Sequence, residues 1–95
     1  MKTAELAGTK LSMLFFAQTM GIPLTNEHIT EFFIKTYFLN YFDLQQLLVE
    51  LVESQHLAHM EGRQSHYYTL TDKGREALDF FQNRIQPHIR QDILN

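Results

Sequence analysis

Three histidines in the second half of the chain are the residues whose type could bind a metal ion. Neutral imidazoles are zinc ligands, and His56, His59 and His66 lie close enough in sequence to meet around a turn. No Cys, Asp or Glu completes the set at a suitable spacing, so we expect solvated strand and loop residues instead. Ser65 lies next to His66 but lacks a third residue that would make it a nucleophile. With no glycine-rich phosphate loop either, the sequence predicts no catalytic, metal or cofactor site.

A second set of residues has side chains suited to double-stranded DNA. Its polar members, which can hydrogen-bond base edges or phosphates, are Asn40, Tyr41, Gln45 and Gln46. Its basic members, which can neutralise phosphates, are Lys35, Arg63 and Lys73, with Arg75 as an alternative to Lys73. A glutamine can present a paired donor and acceptor to adenine, whereas an arginine at a loop tip can reach a phosphate or the minor groove. We therefore expect the two glutamines to supply sequence discrimination and Arg63 to supply affinity for any duplex.

The periodicity of apolar residues predicts the first two helices of the scaffold. The first runs from about Thr3 to Met20 and ends where Gly21 can adopt a left-handed conformation. A second helix is expected to begin after a cap at Thr25 or Asn26 and to end near residue 36. These two helices precede all but one of the residues proposed to contact DNA.

The third helix has the clearest start signal. Asn40 is followed three residues later by Asp43, which resembles a capping box with Asp in place of Glu. Beyond it, the apolar residues at spacings of three and four are Leu44, Leu47, Leu48, Leu51 and Val52. This pattern leaves Gln45 and Gln46 pointing outward, where they could meet DNA.

A β-hairpin is predicted after the third helix. Residues 57–60 and 67–70 flank a polar connection over residues 61–65, which is typical of a hairpin with a glycine-containing loop. Residues 22–24 could add a short third strand to it. The hairpin would carry Arg63 at its tip.

The rest of the chain predicts two more helices. Thr71 can cap a fourth helix over about residues 72–84, and Gly74 in its first turns indicates close packing, because glycine there costs about 1 kcal/mol relative to alanine. Pro87 interrupts this helix, and Ile89 and Ile93 lie four residues apart on a short final helix. Up to the fourth helix, the order of elements is thus three helices, a hairpin and a helix.

That order is the one found in the winged helix-turn-helix, an α+β, mainly α fold whose third helix enters the major groove. Five motifs in the same order resemble a poorly characterised bacterial winged-helix family over about residues 7–88. They are Pro23-Leu24-Thr25-Asn26, Asn40-Tyr41-Phe42, Leu44-Gln45-Gln46, Leu51-Val52-Glu53-Ser54 and Leu70-Thr71-Asp72-Lys73-Gly74. The family is described as a domain of unknown function and is similar to MarR- and PadR-type repressors. The resemblance implies three helices, a β-hairpin wing, a C-terminal helix and a role in transcription regulation.

The distribution of charge argues against DNA binding. The formal net charge is -3, and no Lys or Arg occurs from Thr36 to Gly62, a stretch that contains the whole third helix. Proteins draw most of their affinity for DNA from Lys and Arg at phosphates. The sequence therefore leaves two functions open, a DNA-binding transcriptional regulator and a non-catalytic winged-helix module for protein contact. The aromatic turn at residues 37–42 would serve the second function, although we expect its apolar side chains to be buried in the core.

Length and composition predict how the chain is organised. Its 95 residues suffice for one winged-helix domain over residues 1–95, with no cysteine and no apolar run long enough to span a bilayer. We therefore expect a cytoplasmic protein that contacts no membrane. The apolar residues of the first helix and those after Arg84, spaced at Ile85, Ile89 and Ile93, predict a homodimer in which residues 85–95 form an assembly segment.

Overall fold

The computed structural model describes residues 3–37 and 39–95, without the side chains of residues 3–6 and 37. In chain order the elements are α1 (Thr3–Met20), β1 (Leu24–Thr25), α2 (Asn26–Tyr37), α3 (Tyr41–Glu53), β2 (Leu57–Glu61), β3 (His66–Leu70), α4 (Asp72–Phe81), a 3₁₀ turn (Gln82–Arg84) and α5 (Pro87–Leu94). The three strands form one antiparallel sheet. The predicted α+β, mainly α class is therefore confirmed. None of the helices within the described ranges has the length and apolarity needed to cross a bilayer.

The ends of α1 and α2 follow from local chemistry. α1 ends at Met20, and Gly21 then has a φ of 68°, the left-handed conformation that glycine adopts at low cost. Thr25 caps α2 because its Oγ1 accepts a hydrogen bond from the backbone N–H of His28 at 3.1 Å. Both sequence predictions are confirmed, and α2 ends at Tyr37, one residue beyond the expected position.

α3 is capped at both ends. Asn40 Oδ1 accepts from the backbone N–H of Asp43 at 2.8 Å, and Asn40 Nδ2 donates to Asp43 Oδ2 at 2.9 Å. The predicted N-cap is confirmed, with the Asp43 carboxylate paired to the side-chain amide of the cap. At the other end Gln55 has a φ of 67°, and His56 N donates to the Leu51 carbonyl oxygen at 2.9 Å. This is a Schellman turn with glutamine in the position that glycine usually occupies.

The sheet has the order β1, β3, β2, so the hairpin strand β3 lies in the middle. β2 pairs with β3 from Leu57 opposite Leu70 to Glu61 opposite His66. The short edge strand β1 pairs Leu24 with Tyr68. The hairpin prediction is confirmed, with each strand one residue longer than expected. The third strand was predicted at residues 22–24 and instead covers Leu24–Thr25, because Leu24 is the first side chain after α1 that enters the core.

The core surrounds α1. Residues 11–17 are all buried, which is the pattern of a helix covered on every side. α1 packs against α4, α5 and β3. The side chains after Arg84 complete the cover, because Ile85, Ile89 and Ile93 are all buried within the same core.

The prediction of two exposed apolar stripes is therefore wrong. Residues 11–17 of α1 and the isoleucines of residues 85–95 are buried in one core within the chain, so these residues are not available as the predicted assembly surface. Of the other apolar residues of the first helix, Met20 is 46% exposed and Leu6 has its side chain outside the described residues. The homodimer itself stays a prediction, without the interface proposed for it.

Gly74 lies where α4 crosses the start of the hairpin. A Cβ added at this position would overlap the carbonyl oxygen of His56 and would lie 2.8 Å from Leu70 Cδ1. The predicted close approach of the α4 backbone is confirmed. The preceding cap is confirmed as well, since Thr71 Oγ1 accepts from Gly74 N at 2.9 Å.

Candidate functional site

Gln45 on α3 is joined to the start of α2 by its side-chain amide. Its Oε1 accepts from Asn26 Nδ2 at 2.7 Å, and its Nε2 donates to Asn26 Oδ1 at 3.1 Å and to Thr30 Oγ1 at 3.0 Å. The prediction that Gln45 points outward is wrong, because these bonds hold it half-buried between the two helices. Reading a base with Gln45 would require breaking all three bonds.

The same network continues to the hairpin. Asn26 Nδ2 lies 3.3 Å from the Tyr68 hydroxyl, and the Tyr68 ring lies 5.3 Å from the ring of His59. His59 Nε2 is 2.8 Å from His66 Nδ1, with the two rings stacked. We call the five residues Gln45, Asn26, Tyr68, His59 and His66 the polar track. The track runs from α3 and the first turn of α2 through the buried Tyr68 to the two exposed histidines of the hairpin.

The approach of the histidines around the turn, considered in the sequence as a possible metal site, occurs for His59 and His66 but does not include His56. In an antiparallel hairpin, side chains directly opposite each other share a face. The register places His59 opposite Tyr68 and Glu61 opposite His66, so the two histidines are diagonal neighbours on one face. Once the hairpin register is fixed, the contact follows.

The N-terminus of α3 presents aromatic rings and not a free anion site. Both ends of the Asn40 amide are used in the cap, and the Asp43 carboxylate already lies at the helix N-terminus. Tyr41 is 52% exposed and Phe42 is 80% exposed, with their rings 5.7 Å apart. The expectation that the apolar residues of the turn at 37–42 are buried holds for Leu39 and is wrong for Phe42. Phe38 and the side chain of Tyr37 lie outside the described residues.

The outer face of α3 carries Gln46 as predicted, in an acidic setting. Gln46 is exposed, and its Nε2 donates to Glu50 Oε2 at 3.2 Å. Glu50 also pairs with Lys10 on α1 at 2.7 Å. Hydrogen bonds from Lys10 and Gln46, together with the Lys10 charge, lower the pKa of the Glu50 carboxyl. Gln46 therefore keeps an outward position beside a carboxylate.

The predicted basic residues are not brought together. Lys35 lies 3.5 Å from Glu31 on the surface of α2. Lys73 donates to the Ser54 carbonyl oxygen at 2.8 Å, which puts it at the C-terminal end of α3. With 13 residues in α3, this is about 20 Å from Asn40 at the other end. Arg63 is exposed in the hairpin connection, close in sequence to His66.

The three histidines do not form a metal site within the described residues. His56 lies apart from the other two, where its Nδ1 is 2.6 Å from Ser54 Oγ. No group of three His, Asp or Glu side chains in the described ranges is arranged to hold a metal ion. Burial, together with the charges of Lys73 and Lys10, lowers the pKa of His56.

Comparison with known proteins gives one match. Residues 9–95 match a family described as a domain of unknown function, DUF4364. Neither the curated proteins nor the solved structures that were searched contain a match to the chain. The matched range includes all of the polar track and every residue predicted to contact DNA.

Proposed function

We propose that this chain, which belongs to the DUF4364 family of domains of unknown function, is a transcriptional regulator that binds double-stranded DNA through a winged helix-turn-helix. The observation that carries the proposal is the order of the elements, in which the Asn26–Gln45 bonds of the polar track hold α3 against α2. α2 and α3 are separated by residues 38–40, and a turn of this length is typical of the helix-turn-helix. The hairpin follows α3 directly and would be the wing.

The proposed contacts follow from which of the predicted side chains are exposed. Gln46 and Tyr41 on the outer surface of α3 would contact base edges, and Arg63 on the wing would contact phosphate or the minor groove. Lys35 would add a second phosphate contact. Gln45 and Asn40 act as positioning residues, because their amides hold α3 against α2 and cap its first turn.

The scarcity of cations sets the expected strength of binding. Each neutralised phosphate contributes about 0.9 to the slope of log affinity against log salt concentration. With Arg63 and Lys35 as the proposed phosphate contacts, we expect a slope of about 2 per bound protomer. Affinity for random DNA should be weak, because only two cations per protomer neutralise phosphates. Most of the affinity for a preferred duplex therefore has to come from base contacts made by α3.

A test compares two fluorescently labelled duplexes by anisotropy, one selected from a random library and one of random sequence. Arg63→Ala should weaken binding to both duplexes and lower the salt slope by about 1, while Gln64→Ala at the same tip leaves both unchanged. Gln46→Ala should cost about 1 to 3 kcal/mol on the selected duplex and much less on the random one. Equal losses on both duplexes would contradict base readout by Gln46. Failure to bind any duplex at about 50 mM salt would contradict the proposal as a whole.

A second candidate function is protein contact through the same face of α3, and the exposure of Phe42 favours it. An aromatic side chain that is 80% exposed beside Tyr41 and the partly exposed Val49 is suited to a protein partner. The discriminating variant is Phe42→Ser, with Phe80→Ser as a control because Phe80 on α4 is equally exposed. Under the second candidate, proteins that co-purify with the wild type are lost only with Phe42→Ser, and no duplex binds at low salt.

A further inference from the structure

A cleft between α1, the C-terminal end of α3 and α4 has no part in the proposed DNA contacts. Its volume of about 340 Å³ is within the range of small-molecule sites. The floor is apolar and consists of Leu11, Leu14, Leu51, Ala77 and Phe81. A few polar side chains line the rest, which is the composition expected of a site that holds an apolar body and orients a polar group.

The polar lining is positively charged on balance. Lys10 comes from α1 and Arg84 from the 3₁₀ turn, while Glu50 is the single carboxylate among the lining residues. Lys10 Nζ contacts Glu50 at 2.7 Å with one of its three donors, so the ammonium group can hold a second anion. The Arg84 guanidinium lies 5.0 Å from the centre of the Phe81 ring, which fixes a cation directly above the apolar floor.

Two further polar groups line the α3 side of the cleft. Ser54 Oγ lies 2.6 Å from His56 Nδ1, so Nε2 is the ring nitrogen that remains for contact with a ligand. Lys73 donates to the Ser54 carbonyl oxygen and adds a third cation next to the cleft. Burial lowers the pKa of His56, and the nearby charges of Lys73 and Lys10 lower it further.

We propose that this cleft binds a small amphipathic carboxylate, with the apolar body on the Leu11, Leu51 and Phe81 floor and the carboxylate between Lys10 and Arg84. Both parts of the ligand are required. The floor alone would accept any apolar molecule, and the two cations alone would bind an anion weakly because they are partly solvated. Binding at this cleft does not depend on whether the protein binds DNA.

The test uses naphthoate as the probe, with naphthylmethanol as its neutral counterpart and naphthylmethylamine as its cationic counterpart, in isothermal titration calorimetry. Naphthoate should bind with a Kd in the micromolar to millimolar range, at least about tenfold tighter than either counterpart. Arg84→Gln should weaken naphthoate binding by about twofold to fivefold and should leave naphthylmethanol unchanged. Arg75→Gln is the matched control, because this α4 arginine pairs with Asp72 and does not line the cleft.

Two further measurements locate the ligand. Ala77→Leu fills the floor and should abolish binding of naphthoate; if this variant fails to fold, the Arg84 and Arg75 variants still decide the question. A bound carboxylate should raise the pKa of His56 in an NMR titration, whereas naphthylmethanol should not. Equal binding of the three probes, equal effects of Arg84→Gln and Arg75→Gln, or an unchanged His56 pKa at saturating naphthoate would each overturn the proposal.

Discussion

Gly74 is a residue whose substitution separates helix propensity from packing. Alanine would favour the helix by about 1 kcal/mol, but its Cβ would meet the His56 carbonyl oxygen and Leu70 Cδ1. Overpacking against the backbone costs about 1 to 3 kcal/mol, and the backbone cannot yield as a flexible side chain would. We expect Gly74→Ala to lower the free energy of unfolding by up to about 2 kcal/mol in urea denaturation.

Gly8→Ala is the matched control for this prediction. Gly8 also lies in a helix, and the nearest atom to an added Cβ is the Arg84 carbonyl oxygen at 3.9 Å. The free energy of unfolding should stay the same or rise by up to about 1 kcal/mol. A rise for Gly74→Ala similar to that for Gly8→Ala would show that the α4 backbone has room.

His56 makes the stability of the protein depend on pH. Its pKa in the folded state is lowered below 6.5, so near that value the unfolded chain binds more protons than the folded one. Stability is therefore highest above pH 6.5 and falls as the pH drops below it, until the folded-state pKa is passed. We expect thermal melts of His56→Asn to lose this step.

The Glu50 carboxyl provides a contrast in a different pH range. Its folded pKa is lowered from 4.5, so its contribution is present above pH 4.5 and is lost as the pH falls through the folded value. The His56→Asn variant should keep this more acidic step. If that variant instead retained the loss of stability just below pH 6.5, another group would be responsible for it.

At the scale of elements, the boundaries that depend on neighbouring residues were predictable. Asn40 with Asp43 and Thr71 with Gly74 each mark the start of a helix through a bond that spans three residues, and Gly21 marks the end of α1 by its left-handed φ. These signals are present in the sequence itself. The hairpin was predictable for the same reason. The strands β2 and β3 are joined by a short polar connection, which favours antiparallel pairing of the two strands with each other.

Features that depend on long-range packing were not predictable in this way. An apolar stripe such as Ile89 and Ile93 indicates that these side chains are buried by a neighbouring element. The sequence does not show whether that element is α1 of the same chain or part of a second copy. Gln45 is similar, because its spacing on α3 indicates an outward position until α2 is placed beside it. The exposure of Phe42 is a third case, because it depends on whether another element of the fold packs against the start of α3.

α5 was predicted as an assembly segment and is instead part of the core, and its contribution to the free energy of unfolding can be measured. Ile89 is 1% exposed, so Ile89→Ala should lower the free energy of unfolding by about 2 to 5 kcal/mol. Leu94→Ala on the same helix is the control and should have little effect, because Leu94 is 55% exposed. The difference between the urea midpoints of Ile89→Ala and the wild type should not depend on protein concentration, since the contact lies within one chain. A difference that changes with concentration would instead place Ile89 at an interface between chains.

At the scale of the whole molecule, the residues proposed to contact DNA, the cleft and the exposed Phe80 lie on different parts of the surface. The DNA proposal relies on Tyr41 and Gln46 of α3 together with Arg63 and Lys35, whereas the cleft that contains Lys10 and Arg84 lies at the C-terminal end of α3. Phe80, which is 83% exposed, lies on α4 outside both. A homodimer would therefore need a surface such as that of Phe80, because the α1 and α5 stripes are already covered.

The edge strand β1 has a consequence for motion. β1 pairs with β3 only at Tyr67 and Tyr68, so the hairpin beyond these residues, from Glu61 to His66, is held by its own two strands. Segments with few buried contacts open without unfolding the rest.

In hydrogen–deuterium exchange followed by NMR, we expect hydrogen-bonded amides near the tip, such as that of Gly62, to exchange by local fraying. Amides of Leu44 to Leu51 should exchange only through global unfolding, and equal protection in both regions would contradict this gradient. A hairpin tip that frays before binding must lose that freedom when it meets a partner, so part of the interaction energy is spent on ordering residues 61–66 and the affinity is correspondingly lower.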